Sequence, residues 1–212
     1  MKTLAFILTL VALATNPSPA RYDLLIRGGR VIDGTGNPAY FADVAVDKGK
    51  IVKIGQNLGS GETEMDAKGM IVAPGFIDVH THAENVTELP DAENYIRMGV
   101  TSIVVGNCGS SVANVAKFFS QVDGKVAVNV ATLIGHNTIR SAAMGGSFDR
   151  PPTPAELTKM EQAVDTAMRQ GACGLSTGLI YLPGTFAKTD EIVALAKVAK
   201  EYDGIYATHM RN

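Results

Sequence analysis

Pro74-Gly75-Phe76-Ile77-Asp78-Val79-His80-Thr81-His82 reads as a short apolar strand that runs into two histidines. The strand is expected over Phe76 to His80. Residues two apart on a strand project to one side, so the imidazoles of His80 and His82 can approach a single ion at its C-terminal end. A bare His-x-His is a common pair, and two core histidines satisfied by hydrogen bonds are the alternative. Position favours ligation, because in a parallel barrel the C-terminal strand ends carry the chemistry.

Downstream of this segment the chain alternates strand and helix. A short helix is expected over Asp91 to Met98, a strand over Thr101 to Val105, a helix over Val112 to Gln121 and a strand over Val126 to Leu133. The next helix, Pro154 to Gln170, has Thr153 as N-cap, Pro154 at its first position and Glu156 in its first turn. Its apolar residues Leu157, Met160, Val164 and Met168 recur at helical spacing and are expected to pack inward. A strand over Gly174 to Thr177, a helix over Asp190 to Tyr202 and a strand over Ile205 to Thr208 complete the series. The alternation predicts an α/β fold with parallel strands, a TIM-like (β/α)8 barrel that is incomplete, with about five of the eight strands present. An open doubly wound sheet is the competing fold, but no Gly-x-Gly-x-x-Gly follows the first strand to form a nucleotide site.

Upstream, residues 21–72 form short β-rich runs: Leu24 to Ile26, Val31-Ile32, Val44 to Val46, Ile51 to Ile54 and Met70 to Val72, with a hairpin turn at Asp47-Lys48-Gly49-Lys50. They are expected to make a small β-sandwich module. It holds no histidine or cysteine, so it reads as scaffold, and residues 73–212 as the N-terminal part of the barrel. At the start, Lys2 precedes an apolar run from Leu4 to Ala14 and a polar, proline-containing stretch ending at Ala20. That grammar marks residues 1–20 as a signal peptide, with export to the periplasm or beyond and no membrane attachment after its removal. The formal net charge of −2 gives no electrostatic footprint for nucleic acid, which leaves small molecules as the expected partners. Oligomeric state leaves no mark in the sequence. The two cysteines, Cys108 and Cys173, fall on opposite rims of a parallel barrel and are expected to stay unbridged.

Three more residues can carry chemistry. Cys108 follows the second barrel strand in Val104-Val105-Gly106-Asn107-Cys108-Gly109-Ser110, which puts its sulfur on the rim that His80 and His82 occupy. A thiolate suits zinc; a small buried hydrophobe is the alternative reading. His209 closes the fifth strand in Ile205-Tyr206-Ala207-Thr208-His209, so a third strand end presents a metal-capable group. His136, in Gly135-His136-Asn137-Thr138 beyond the third strand, could hold substrate or orient water, with an ordinary loop histidine as the alternative.

These segments resemble the D-aminoacylase branch (N-acyl-D-amino-acid deacylases) of the amidohydrolase superfamily. The likeness runs from about residue 22 to the end, through Asp33-Gly34-Thr35-Gly36, Pro74 to His82, Gly106 to Gly109, Gly135 to Arg140 and Gly174 to Tyr181. The first two motifs are widespread in the superfamily, and the other three belong to this branch. The resemblance implies a Zn2+-dependent hydrolase that cleaves the amide bond of N-acyl-D-amino acids. It also implies that Cys108, with His209 beside it, replaces the carboxylated lysine that bridges two metals in dihydroorotases and hydantoinases. The fourth strand here has Leu175, Ser176 and Thr177 and no lysine. His80 and His82 would line a second, weaker metal position, and Tyr181 part of the substrate pocket, a packed loop aromatic being the alternative. Ala83 follows His82 where the pattern calls for an acidic residue.

The family also uses a histidine from the sixth strand as ligand and an aspartate from the eighth as general base, both expected beyond residue 212. The chain therefore reads as an N-terminal fragment that is inactive by itself. A cyclic-amide hydrolase of the dihydroorotase or hydantoinase type, opposed by the missing lysine, and a non-catalytic truncated product are the other readings. Residues 21–212 in isolation should aggregate or fold poorly, because an open five-stranded sheet exposes edges and apolar faces. A compact two-state unfolding transition of that segment would contradict this.

Overall fold

The computed structural model describes residues 21–146 and 148–211. The expected signal peptide lies outside the described residues. The chain is a mixed α/β protein that divides into two compact units, one ending at Pro74 and the other beginning at Gly75.

In the first unit, β1 (Arg21–Val31), β2 (Tyr40–Asp47), β3 (Lys50–Gly55), β4 (Ser60–Asp66) and β5 (Ile71–Val72) form one sheet in the order β3-β2-β1-β4, with β5 also paired to β1. The β2–β3 turn falls at Lys48 and Gly49, both with positive φ (49° and 71°), which is the backbone a two-residue hairpin requires. The runs Leu24 to Ile26 and Val31-Ile32 are not separate strands. They belong to β1, whose pairing with β2 shifts register between Ile26 and Gly29. Strand β4, Ser-Gly-Glu-Thr-Glu-Met-Asp, lacks the apolar alternation that would announce it; its backbone pairs in parallel with β1, and Arg27 grips the Glu64 carboxylate through Nε and Nη2, each at 2.7 Å. That grip holds the Glu64 carboxyl down to about 2. Leu25, Ala45 and Leu58 form one buried cluster, Val31, Ala42 and Val44 another. A sandwich needs a second sheet facing the first, and among the described residues this unit has one sheet only.

The second unit contains β6 (Phe76–Asp78), α1 (Glu93–Ile96), β7 (Val100–Val105), α2 (Val115–Val122), β8 (Asn129–Thr132), β9 (Ile134–Gly135), α3 (His136–Met144), α4 (Pro154–Arg169), β10 (Gly174–Gly178), α5 (Thr189–Lys200) and β11 (Ile205–His209). Strands β8 and β9 are one extended segment interrupted at Leu133, whose N–H donates to the Val105 carbonyl at 2.9 Å. The first half pairs with β7 and the second with β10. All pairings are parallel, and the order β6-β7-β8/β9-β10-β11 follows the sequence. Each new strand is thus added on the same side of the last, whereas a doubly wound sheet reverses direction.

The helices bury apolar faces against these strands. Met160, Val164, Ala167 and Met168 of α4 join Leu195 and Ala199 of α5 on Ile134 and Leu175; Phe118 and Val122 of α2 pack with Ile103 and Val105 of β7. Helix α4 starts as its sequence predicts, with Thr153 Oγ1 accepting from Glu156 N–H and the Glu156 carboxylate accepting from Thr153 N–H. Helix α3, like β4, is an element that sequence reasoning missed. Both cysteines are free. Among the described residues no helix is long and apolar enough to cross a membrane.

A buried ionic cluster ties α3 to α5. Glu191 accepts from Arg140 Nη1 and lies 2.8 Å from His136 Nε2, while Arg140 Nη2 donates to the carbonyls of Phe148 (3.0 Å) and Arg150 (2.8 Å). Arg140 and His136 are completely buried. Burial alone would raise the Glu191 carboxyl, but the hydrogen bonds from His136 and Arg140 outweigh it and hold the group below its ordinary value. A depressed carboxylate stabilises the fold above its unfolded-state pKa of about 4.3 and loses that contribution as pH falls through the folded value. Replacing Glu191 by Gln strands a buried guanidinium, so Glu191→Gln should cost about 3–5 kcal/mol at neutral pH. In urea unfolding of the full-length protein the gap to wild type should narrow as the solution is acidified below the unfolded-state value.

Candidate metal centre

The site is built where β6 and β7 end side by side. Beyond β6 the chain runs through His80, Thr81 and His82, and four hydrogen bonds pin this segment to β7 and the residues that follow it. Thr81 donates to the Val104 carbonyl through N–H (3.0 Å) and Oγ1 (2.9 Å), Asn107 Nδ2 reaches the Val79 carbonyl at 3.4 Å, and Gly106 N–H donates to Glu84 Oε1 at 2.8 Å. The chain beyond β7 then turns sharply. Gly106, Cys108 and Gly109 all have positive φ (78°, 55° and 79°), an uncommon backbone for the cysteine between the two glycines.

This turn delivers Cys108 Sγ to 3.3 Å from His80 Nε2, and the ring of His82 stands edge-on to that of His80 with centroids 5.7 Å apart. One donor atom from each of His80, His82 and Cys108 lies within 4.8 Å of the others. Two ligands of one tetrahedral zinc, with bonds of about 2.0–2.3 Å, sit roughly 3.5 Å apart, so the donor set fits a zinc ion. Cys108 is 9% exposed, and burial pushes its thiol up; a bound cation would reverse that by stabilising the thiolate.

The other expected site residues are placed differently. His209 ends β11 in register with Gly178 of β10, its ring edge-on to Tyr181 at 5.2 Å and its Nδ1 3.1 Å from the Met210 carbonyl oxygen. It lies outside the three-residue group formed by His80, His82 and Cys108. β6 and β7 are neighbours whose loops are pinned together, and the Cys108 turn also lies against Gly178 of β10, the register partner of His209. Tyr181 is half exposed at the same strand end as His209. His136 is corrected outright. It opens α3 rather than lying in a loop, its Nε2 is engaged by Glu191, and its side chain is fully buried, so it presents no exposed nitrogen to a substrate.

The profile of the amidohydrolase family matches residues 63–212. This chain belongs to the amidohydrolase family. Among amidohydrolase relatives it is 37% identical to the D-aminoacylase of Alcaligenes xylosoxydans xylosoxydans, over 90% of this chain and 45% of that protein. It superposes with TM-score 0.86 on N-acyl-D-glutamate deacylase from Bordetella bronchiseptica, a structure complexed with zinc and a phosphonate inhibitor that mimics the tetrahedral intermediate, at 38% identity over 91% of this chain and 46% of that one. A D-aminoacylase crystal structure gives TM-score 0.85 at 34% identity, over 90% and 46% of the two chains. The chain thus spans a little under half the length of these amidohydrolases.

Sequence reasoning missed Glu84, the acidic residue one place beyond Ala83, and the glycines that make room for the Cys108 turn. A side-chain carbon at Gly135 would lie 2.3 Å from the Gly109 carbonyl oxygen, and one at Gly178 would lie 2.0 Å from that of Cys108. The obstacle at both positions is backbone, which cannot swing aside. Gly178→Ala should therefore cost at least about 1–3 kcal/mol and displace Cys108. Zinc content of the purified full-length variant checks this, and a fully loaded, equally stable Gly178→Ala protein would contradict the packing.

Proposed function

We propose that the full-length protein is an exported zinc-dependent hydrolase that cleaves the amide bond of N-acyl-D-amino acids. The observation that carries this reading is the convergence of two imidazoles and a thiol within 4.8 Å where two parallel strands end. His80, His82 and Cys108 would hold the ion, with His209, the register partner of the Gly178 that lies against the Cys108 turn, available to a second position. A zinc ion in such a place supplies Lewis-acid polarisation of a carbonyl and a bound water of lowered pKa.

The chain's own residues do the positioning. Glu84, Thr81 and Asn107 lock the two ligand-bearing loops together, and Tyr181 offers a half-exposed phenol beside His209 for a substrate. The general base is assigned to an aspartate beyond residue 212. Similarity to D-aminoacylase and N-acyl-D-glutamate deacylase supports a linear N-acyl-D-amino acid as substrate. The absence of lysine from β10 counts against a cyclic-amide hydrolase.

We assign the strand series to a (β/α)8 barrel closed by further strands. Phe76 and Ile77 on β6 and Ile205 and Tyr206 on β11, the two edges of the series, keep large apolar side chains exposed that closure would cover. By the same argument Ile51, Val52 and Ile54 of β3 would lie under the second layer of a sandwich. Export rests on the grammar of residues 1–20.

The full-length enzyme should release free D-amino acid from N-acyl-D-amino acids, and Cys108→Ala should abolish both the release and zinc retention. Turnover of hydantoin or dihydroorotate in place of the linear amide would move the assignment to cyclic substrates.

A further inference from the structure

Ser176 lies on β10, two positions along the strand series from β7, and is completely buried. Its hydroxyl crosses over β9 to the Cys108 turn. There it accepts from Gly109 N–H at 3.0 Å and donates to the Gly106 carbonyl. The crossing is possible because Gly135, the register partner of Ser176 on β9, has no side chain to obstruct it. One hydroxyl thus brackets Cys108 from both sides, two residues before it and one after.

We propose that Ser176 is a positioning residue that sets the Cys108 sulfur for metal binding, an inference that rests on the metal-centre reading above. A non-glycine residue at φ 55° is held by its surroundings rather than by its own preference, and here the surroundings are few. Glu84 holds the N–H of Gly106 from the β6 side; Ser176 holds the carbonyl of the same residue and the N–H of Gly109 from the β10 side. Without the hydroxyl, a buried donor and a buried acceptor both lose their partner, and the turn can recover them only by moving. Movement of the turn carries Sγ away from its 3.3 Å approach to His80 Nε2. Groups that orient a metal ligand without touching the metal typically change affinity by about 10–100-fold when removed.

The test uses full-length enzyme and two readouts other than turnover: zinc affinity by competition with a chromophoric chelator, and the thiolate-to-metal charge-transfer band after cobalt substitution. Ser176→Ala should bind zinc about 10–100-fold more weakly and show a diminished or shifted band. Ser176→Thr, which keeps the hydroxyl, should restore much of both. A Ser176→Ala protein with wild-type affinity and an unchanged band overturns the proposal, even if its melting temperature falls, because that is the signature of a merely structural hydroxyl. Should Ser176→Ala fail to fold, amide exchange in the wild-type protein decides. By reciprocity of coupling, zinc must slow exchange at the Gly109 N–H, and equal rates with and without zinc overturn the assignment. Failure of wild type itself to bind zinc would instead remove the metal-centre reading.

Discussion

The site depends on close backbone packing around one turn. Residues 106–109 leave β7 with Gly106, Cys108 and Gly109 at positive φ and lie directly on two glycines, Gly135 of β9 and Gly178 of β10, at distances no side chain would permit. A β-carbon at either place meets a carbonyl oxygen of the turn, so the thiol of Cys108 reaches His80 only because both strands present bare backbone there. Glycine is costly in a strand, since it packs nothing and orders a flexible residue. Its use on two neighbouring strands is explained by the turn they admit.

The same turn organises the secondary structure beyond it. Helix α3 begins at His136 with no side-chain cap; instead the Gly109 carbonyl accepts from the N–H groups of Asn137 (2.8 Å) and Thr138 (3.2 Å). Those are orphan donors of the first helical turn, which a serine or aspartate usually satisfies. One residue, Gly109, therefore links three features: its N–H is held by Ser176, its carbonyl starts a helix, and its neighbour carries the thiol. Farther along α3, Arg140 and His136 converge on Glu191 of α5 in a site without water access. Such a cluster gains little net stability but penalises any arrangement in which one member is missing, and so fixes how α3 and α5 lie on the strands.

In the first unit the balance differs. The polar strand β4 is held by parallel pairing to β1 and by the Arg27–Glu64 pair, both partners of which reach solvent. Ion pairs of that kind add little energy, so backbone hydrogen bonds in the ladder, together with the small clusters around Leu25 and Val31, carry the fold.

What the amino-acid sequence determined by itself is whatever local chemistry writes in consecutive residues. The apolar strand that leads to His80, two residues shorter than expected because it ends at Asp78, the Thr153–Glu156 capping box, the four-residue spacing of Met160, Val164 and Met168, and the two-residue turn at Lys48-Gly49 are all legible, because each is governed by neighbours within four residues. The place of Cys108 just beyond the end of β7 was legible too. Three things were decided only in three dimensions. Helix α3 was hidden because its cap is a carbonyl 26 or more residues upstream, and β4 because a polar edge strand needs a partner rather than a pattern. The close approach of Cys108 to His80 and His82 was hidden because it depends on which strands are neighbours and on glycines that let backbones touch. Sequence names the groups able to bind a metal; the distances between them are set by packing among segments that no local rule connects.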